Sequence, residues 1–219
     1  MDLVTREDAI RLITEASKTY IARNHSAPRT IITVGGTAMA MRRLRERSQD
    51  IDLFHPDSAF SAIALDLAAR AHIELDVTNR TNLWGNIEVA DIEADAEVVE
   101  RLEIEGFGIE IAAISPETLF VIKASSMREK DRDDLPLLLP ATTPKRVMAR
   151  ADALISTLND SFLAGEAVIN MILELQIVTL ELATPDWFLD APRLSTQYRT
   201  LLLEYFGVEL RSTKHPRCR

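Results

Sequence analysis

Two glycines and two aspartates form the pattern with the clearest chemistry in this chain. Gly35 and Gly36 end a β-branched, apolar run, RTIITV from Arg29 to Val34, and thirteen residues, Thr37 to Gln49, separate them from Asp50-Ile51-Asp52. Glycine lets a backbone come close to a phosphate, and the start of a helix offers unpaired N–H groups and partial positive charge to an anion. That combination suits a triphosphate. Aspartates two apart on a strand face the same side with Cα atoms roughly 6.5 Å apart, close enough for both carboxylates to converge on one or two divalent ions. Without a cation, carboxylates about 7 Å apart repel by ~2.4 kcal/mol at an effective dielectric of about 20, and Mg2+ or Mn2+ turns that repulsion into attraction.

The elements that must position these residues follow from local patterns. Thr5 and Asp8 resemble a capping box and Ile10, Ile13, Ser17 and Tyr20 recur at helical spacing, which predicts a helix from about Thr5 to Ala22. Arg29 to Val34 reads as a buried strand, Thr37 to about Arg47 as a helix, and DIDLF, Asp50 to Phe54, as a strand. A helix from Ser58 to Arg70 and the alternating segment IELDV, Ile73 to Val77, come next, followed by a loop from Asn79 to Asn86 and the short strands IEV, LEIEG and IEIAAI. Acids and apolar residues alternate in these segments, so one face of the sheet is expected to be buried and the other, carrying the acids, open. Ser115-Pro116-Glu117 starts a helix that runs through Ile122 to the charged block Arg128 to Asp134. Pro136, Pro140 and Pro144 mark a hinge, and only helical patterns follow, at about Pro144 to Leu158, Ala164 to Ala183 and Ser195 to Tyr205.

Composition narrows the class. The chain has 219 residues, 47% hydrophobic and 27% charged, with seven Gly and nine Pro, which excludes collagen-like, disordered and disulfide-scaffold proteins. Its longest apolar stretch, Ala167 to Ala183, carries Asn170, Glu174, Gln176 and Glu181 and reads as a core helix rather than a membrane span. Nothing at the N-terminus resembles a secretory signal, so a cytoplasmic protein with no membrane partner is expected. The single Cys218 allows neither an intramolecular disulfide nor a cysteine metal cluster. A net charge of −9 argues against non-specific coating of nucleic acid, so a polyanionic ligand needs a metal or a local basic cluster. Arg42, Arg43, Arg45 and Arg47 on the exposed side of the Gly-Gly helix supply one, suited to a nucleotide or an RNA end. His25, His55, His72 and His215 share no ligand spacing and read as structural or surface residues, and Trp84 and Trp187 as packing residues. The basic tail ELRSTKHPRCR is expected to be disordered.

The order strand, Gly-Gly, helix, then RSQDID resembles the signature of the nucleotidyltransferase superfamily related to DNA polymerase beta, with a spacer at the long end of that pattern. Arg47 and Ser48 ahead of Asp50 are similar to the Arg-x-Thr-x-Asp-x-Asp variant of the bacterial AbiEii-like toxins. The segment SPETLFVIKASSMREKDRDDL, with Lys123, Arg128, Lys130-Asp131 and Asp134-Leu135, looks like the one those relatives carry after the sheet. The resemblance covers roughly the first two thirds of the chain. It implies an α/β (α+β) fold, a nucleotidyltransferase-type mixed sheet flanked by helices over residues 1–139, with a helical C-terminal region over 140–219.

The resemblance also assigns roles. Asp50 and Asp52 would bind Mg2+ or Mn2+, and a third carboxylate on a neighbouring strand would complete the site and deprotonate the attacking hydroxyl. Asp76 is the choice because IELDV comes directly after the helix that follows the Asp-x-Asp strand, with Glu74 and Glu110 as alternatives. Gly35, Gly36 and Thr37, with Arg47 and Ser48, would hold the nucleotide. On a continuous helix Lys123, Lys130 and Asp134 form one polar stripe, and Lys123 would reach the phosphates and offset charge on the leaving pyrophosphate; otherwise the charged block is a solvated helix end with internal ion pairs. The expected activity is metal-dependent transfer of a nucleotidyl group from an NTP to RNA, possibly tRNA, to protein or to a small molecule, in a toxin with a cognate antitoxin protein. The alternatives are a non-catalytic nucleotidyltransferase-like binding or regulatory partner, and an antibiotic-modifying enzyme whose open-face acids, Glu74, Glu103, Glu105 and Glu110, would bind a cationic acceptor.

Overall fold

The computed structural model of the chain describes residues 3–78, 89–126 and 128–156. The chain divides into two compact units, Met1–Asn82 with Glu88–Leu119, and Leu83–Ile87 with Phe120–Arg219. In the first, β1 (Val4–Thr5) leads into α1 (Arg6–Asn24) and β2 (Ile31–Thr33) into α2 (Gly35–Met41). Next come β3 (Arg47–Ser48), β4 (Ile51–Phe54), α3 (Ser58–Arg70) and β5 (Leu75–Thr78), then α4 (Val89–Asp95), the hairpin β6 (Glu97–Ile104) and β7 (Phe107–Ala113), and the start of α5 (Pro116–Ser126). The second unit holds the rest of α5, α6 (Glu129–Arg132), α7 (Leu135–Leu138), a 3-10 turn at Leu139–Ala141 and α8 (Pro144–Ser156). The expected loop over 79–86 and the helices expected beyond residue 158 lie outside the described residues.

Five strands form a mixed sheet in the order β5-β4-β2-β7-β6, and β1 and β3 form a separate antiparallel pair. β2 is parallel to β7 and antiparallel to β4, β4 is parallel to β5, and β6 is antiparallel to β7. The hairpin turns at Glu105 and Gly106, both at positive φ (51° and 82°), as a two-residue loop of matching twist requires. Ile31, Ile51, Phe54 and Ile111 are fully buried, each contributing about 1.5–3 kcal/mol of burial energy. α1 packs on α3, burying Leu12, Ile13, Ala16 and Tyr20 on one helix and Phe60, Ile63 and Ala64 on the other.

Local chemistry sets the helix starts. The capping box at α1 is present: the Thr5 hydroxyl accepts from Asp8 N–H at 3.2 Å and the Asp8 carboxylate accepts from Thr5 N–H at 3.0 Å, so the shorter Asp serves in place of Glu. The two Thr5 hydrogen bonds hold the Asp8 carboxyl below the usual carboxylate range. Asp57 caps α3 through Ala59 N–H at 2.8 Å, and Ser115 caps α5 through Thr118 N–H at 3.1 Å.

Three expectations are corrected. The helix after the glycines ends at Met41 rather than near Arg47, because Arg43 turns left-handed (φ 61°) and Leu44 N–H closes on Met39 C=O at 2.9 Å. Val89, read as the end of a strand IEV, opens α4 instead. The helix through Lys123 is not continuous to Asp134: α5 stops at Ser126 and α6 starts at Glu129.

His55, directly after β4, is fully buried and its ring lies 4.4 Å from that of Phe60. Nδ1 accepts from Asp57 N–H at 3.2 Å, which puts the proton on Nε2, facing Arg29 C=O at 3.4 Å. Burial is the main cause that lowers the His55 pKa, opposed by those two backbone contacts. The unfolded chain therefore binds the proton first, and stability is full above about pH 6.5 and lost as pH falls below it. Urea midpoints measured at pH 7.5 and 5.5 should show this loss in the wild type, and His55→Gln should remove most of that difference. An equal pH difference in the variant would assign the loss to other groups.

Candidate active site

The sheet ends and the α2 turn bring the glycines and aspartates into one place. Val34 N–H donates to Asp52 C=O at 3.1 Å, which sets the end of β2 against β4 where the chain enters α2. Gly35 has φ 54°, and a Cβ there would lie 2.3 Å from Asp52 Oδ2. A Cβ on Gly36 would lie 2.3 Å from Ser48 Oγ and 3.6 Å from Arg45 Nη1. Ser48, 3% exposed, has its hydroxyl 3.5 Å from Asp50 Oδ1, longer than an ordinary hydroxyl–carboxylate hydrogen bond. The side chains of Asp52 and Ser48 therefore rest directly on the Gly-Gly backbone, with Asp50 beside Ser48. Absence of a Cβ makes room for the chain's own carboxylate at Gly35 and its own hydroxyl at Gly36.

Asp76 pairs with Asp52 in the parallel register of β4 and β5, so both carboxylates leave the same face of the sheet on strands about 4.8 Å apart. Asp76 is exposed, and Asp50 and Asp52 are half-buried. Glu74 lies two residues before Asp76, its carbonyl accepting from Ile51 N–H at 2.9 Å. Glu110 is elsewhere: it precedes Ile111, which pairs with Ile31 at the start of β2, and its carboxylate bonds Arg101 at 3.2 Å. The structure thus gathers Gly35, Gly36, Thr37, Ser48, Asp50, Asp52 and Asp76, and leaves Glu110 at the other end of the strand.

A family model described as "Nucleotidyltransferase of unknown function (DUF6036)" matches residues 8–137, more than half of the chain and all of the site just described. The chain belongs to this family. No curated protein and no solved structure matches it.

Among the described residues of this DUF6036 nucleotidyltransferase, no three Asp, Glu, His or Cys side chains are gathered closely enough to hold a metal ion by themselves. Two oxygen-donating carboxylates fit Mg2+ all the same, because that ion keeps several waters and is commonly bound by one or two carboxylates plus substrate phosphates. Residues Asp50 and Asp52 would hold it, with Asp76 beside them.

The other candidates have structural partners. Arg42 donates from Nε to Ile114 C=O and from Nη2 to Ala113 C=O, both at 2.8 Å, and pairs with Glu97 at 2.9 Å, so it ties α2 to the end of the β6–β7 hairpin. Arg43 and Arg47 are exposed. Lys123 belongs to the second unit, 6% exposed, its ammonium bound to Asp131 at 2.9 Å and Asp134 at 2.7 Å. The Asp131 carboxylate also accepts from Ser126 Oγ at 2.7 Å and from Arg128 Nε at 2.5 Å. Burial alone would raise the Asp131 pKa, but the hydrogen bonds and charges of Lys123, Ser126 and Arg128 hold it below the usual carboxylate range. Internal ion pairing, one of the two readings open for this charged block, describes Lys123, Arg128 and Asp131.

Sequence reasoning missed Thr37's actual contacts and the part played by β1. Thr37 is 2% exposed, and its hydroxyl donates to Asp50 C=O at 3.2 Å while accepting from Asp52 N–H at 2.9 Å. Val4 and Thr5 pair with Ser48 and Arg47, so the segment leading to Asp50 is held by the N-terminal strand. A Thr following Gly-Gly was the available signal for the first; two-residue strands leave none for the second.

Proposed function

We propose that this protein is a Mg2+- or Mn2+-dependent nucleotidyltransferase that moves a nucleotidyl group from an NTP to RNA, as a toxin with a cognate antitoxin. The observation that carries the reading is the seating of the Asp52 and Ser48 side chains against the Gly35–Gly36 backbone, with Asp50 beside Ser48 and Asp76 in register beside Asp52. The family supports nucleotidyl transfer in general. Exposed Arg47, next to Ser48 on β3, supports an anionic acceptor, as does the likeness of Arg47-Ser48-Gln49-Asp50-Ile51-Asp52 to the toxin variant of the motif.

In this mechanism the Gly35–Gly36 turn, with the Thr37 backbone, receives the β- and γ-phosphates, and Asp50 and Asp52 hold the cation. The bound cation supplies charge neutralisation at the phosphates. Asp76 takes the proton of the acceptor hydroxyl, whose oxygen bonds to the α-phosphorus as the bond to the β-phosphate oxygen breaks and pyrophosphate leaves. Lys123, already held by two carboxylates, is given no part in these steps.

The test is incubation of the protein with each of four α-labelled NTPs, Mg2+ or Mn2+, and total cellular RNA or protein, with the Asp50→Ala/Asp52→Ala protein as control. Label in RNA with the wild type alone supports the proposal, and label in protein alone reassigns the acceptor. No transfer, together with no NTP-dependent thermal shift, overturns catalysis in favour of a non-catalytic partner.

A further inference from the structure

We infer that Thr37 is a positioning residue for the two aspartates, its hydroxyl holding their backbone rather than binding nucleotide phosphates, an inference that rests on the metal-binding reading above. A threonine hydroxyl has one proton to give, and here it faces Asp50 C=O at 3.2 Å. The same oxygen accepts from Asp52 N–H at 2.9 Å, so a single side chain spans the Asp50-Ile51-Asp52 backbone from both ends. At 2% exposure it is turned into the protein. Asp52 is then fixed on both sides, its N–H on Thr37 and its C=O on Val34 N–H at 3.1 Å, and Ile51 N–H is held by Glu74 C=O at 2.9 Å. Backbone fixed at these points sets the separation of the two carboxylates before any cation arrives. Thr37 also stands directly after the glycines on which the Asp52 and Ser48 side chains rest, so one residue joins the phosphate-side turn to the metal-side strand.

The experiment compares wild type, Thr37→Val and Thr37→Ser by Mn2+ binding without nucleotide, followed by electron paramagnetic resonance, and by hydrogen exchange at the Asp52 amide. Valine keeps the shape and removes both hydrogen bonds, whereas serine keeps the hydroxyl. The expected result is a Kd for Mn2+ raised about tenfold and faster Asp52 exchange in Thr37→Val, with Thr37→Ser near wild type. If valine prevents folding, Thr37→Cys, which fills similar space with a weak hydrogen-bonding thiol, gives the same reading. Wild-type Mn2+ affinity and Asp52 exchange in the valine protein, with weakened NTP binding at saturating Mn2+, would overturn the positioning role and return the hydroxyl to the nucleotide. A wild type that binds no Mn2+ either alone or with NTP present would overturn the metal-binding reading and this role together; equal affinity in wild type and Thr37→Val would overturn this role alone.

Discussion

Replacing Asp52 with asparagine is expected to lower label transfer by about 10³-fold while moving the thermal midpoint by no more than about 2 °C. The side chain lies against Gly35, and asparagine occupies the same space, so the Gly-Gly turn keeps its neighbour. The backbone bonds of Asp52 to Thr37 and Val34 do not involve the carboxylate and survive the change. What is lost is one negative charge close to a second. Relief of their mutual repulsion offsets part of any lost contact, so stability should hold while cation binding fails. Transfer assays and thermal scans on the same preparation separate the two effects. A fall of many degrees in the midpoint would mark Asp52 as a structural acid.

Gly35→Ala is expected to be the most damaging small substitution in the first unit. A left-handed residue with a Cβ costs roughly 1–2 kcal/mol, and forcing a methyl into filled space a further 1–3 kcal/mol or so. Both apply here, since φ is 54° and the added carbon would lie 2.3 Å from Asp52 Oδ2. The summed loss is therefore about 2–5 kcal/mol by urea denaturation, with transfer abolished because the aspartate must move. Adding Asp52→Ala should return the crowding part and leave the backbone part, so the double variant is more stable than Gly35→Ala alone. If Gly35→Ala loses no more than the backbone part, about 1–2 kcal/mol, the Asp52 side chain swings aside at no cost and the crowding argument fails.

Much of this architecture was legible from local chemistry. Thr5 and Asp8 announced α1, Ser58 to Arg70 was read with its observed bounds, and the order of segments made Asp76 the neighbour of Asp52. These features depend on residues close in sequence or on a single crossover. Features that depend on register between distant elements were not legible. The α2 helix lost its last turns to a left-handed residue, Arg43, whose type alone does not announce that conformation. Acid alternation around Val89 imitated a strand because a helix of seven residues, Val89–Asp95, leaves too few turns to display its own period. The polar stripe through Lys123 needed an unbroken helix, and the break after Ser126 instead turns Asp131 toward the ammonium. The glycines were read for a ligand, yet the first demand on them comes from Asp52 and Ser48, visible only once α2 is set against β3 and β4.

The central place of β2 bears on how this protein is made. All the acids of the candidate site lie before residue 78, yet one neighbour of β2 is β7, with Ile31 paired to Ile111 and Thr33 to Ala113. A chain emerging from the ribosome thus carries every one of those acids on a sheet whose middle strand still has an open edge, a form prone to pair with the wrong partner. Closing that edge waits for the β6–β7 hairpin. A fragment cut to the motif-bearing residues would keep the chemistry's side chains and lose the strand that holds their sheet together.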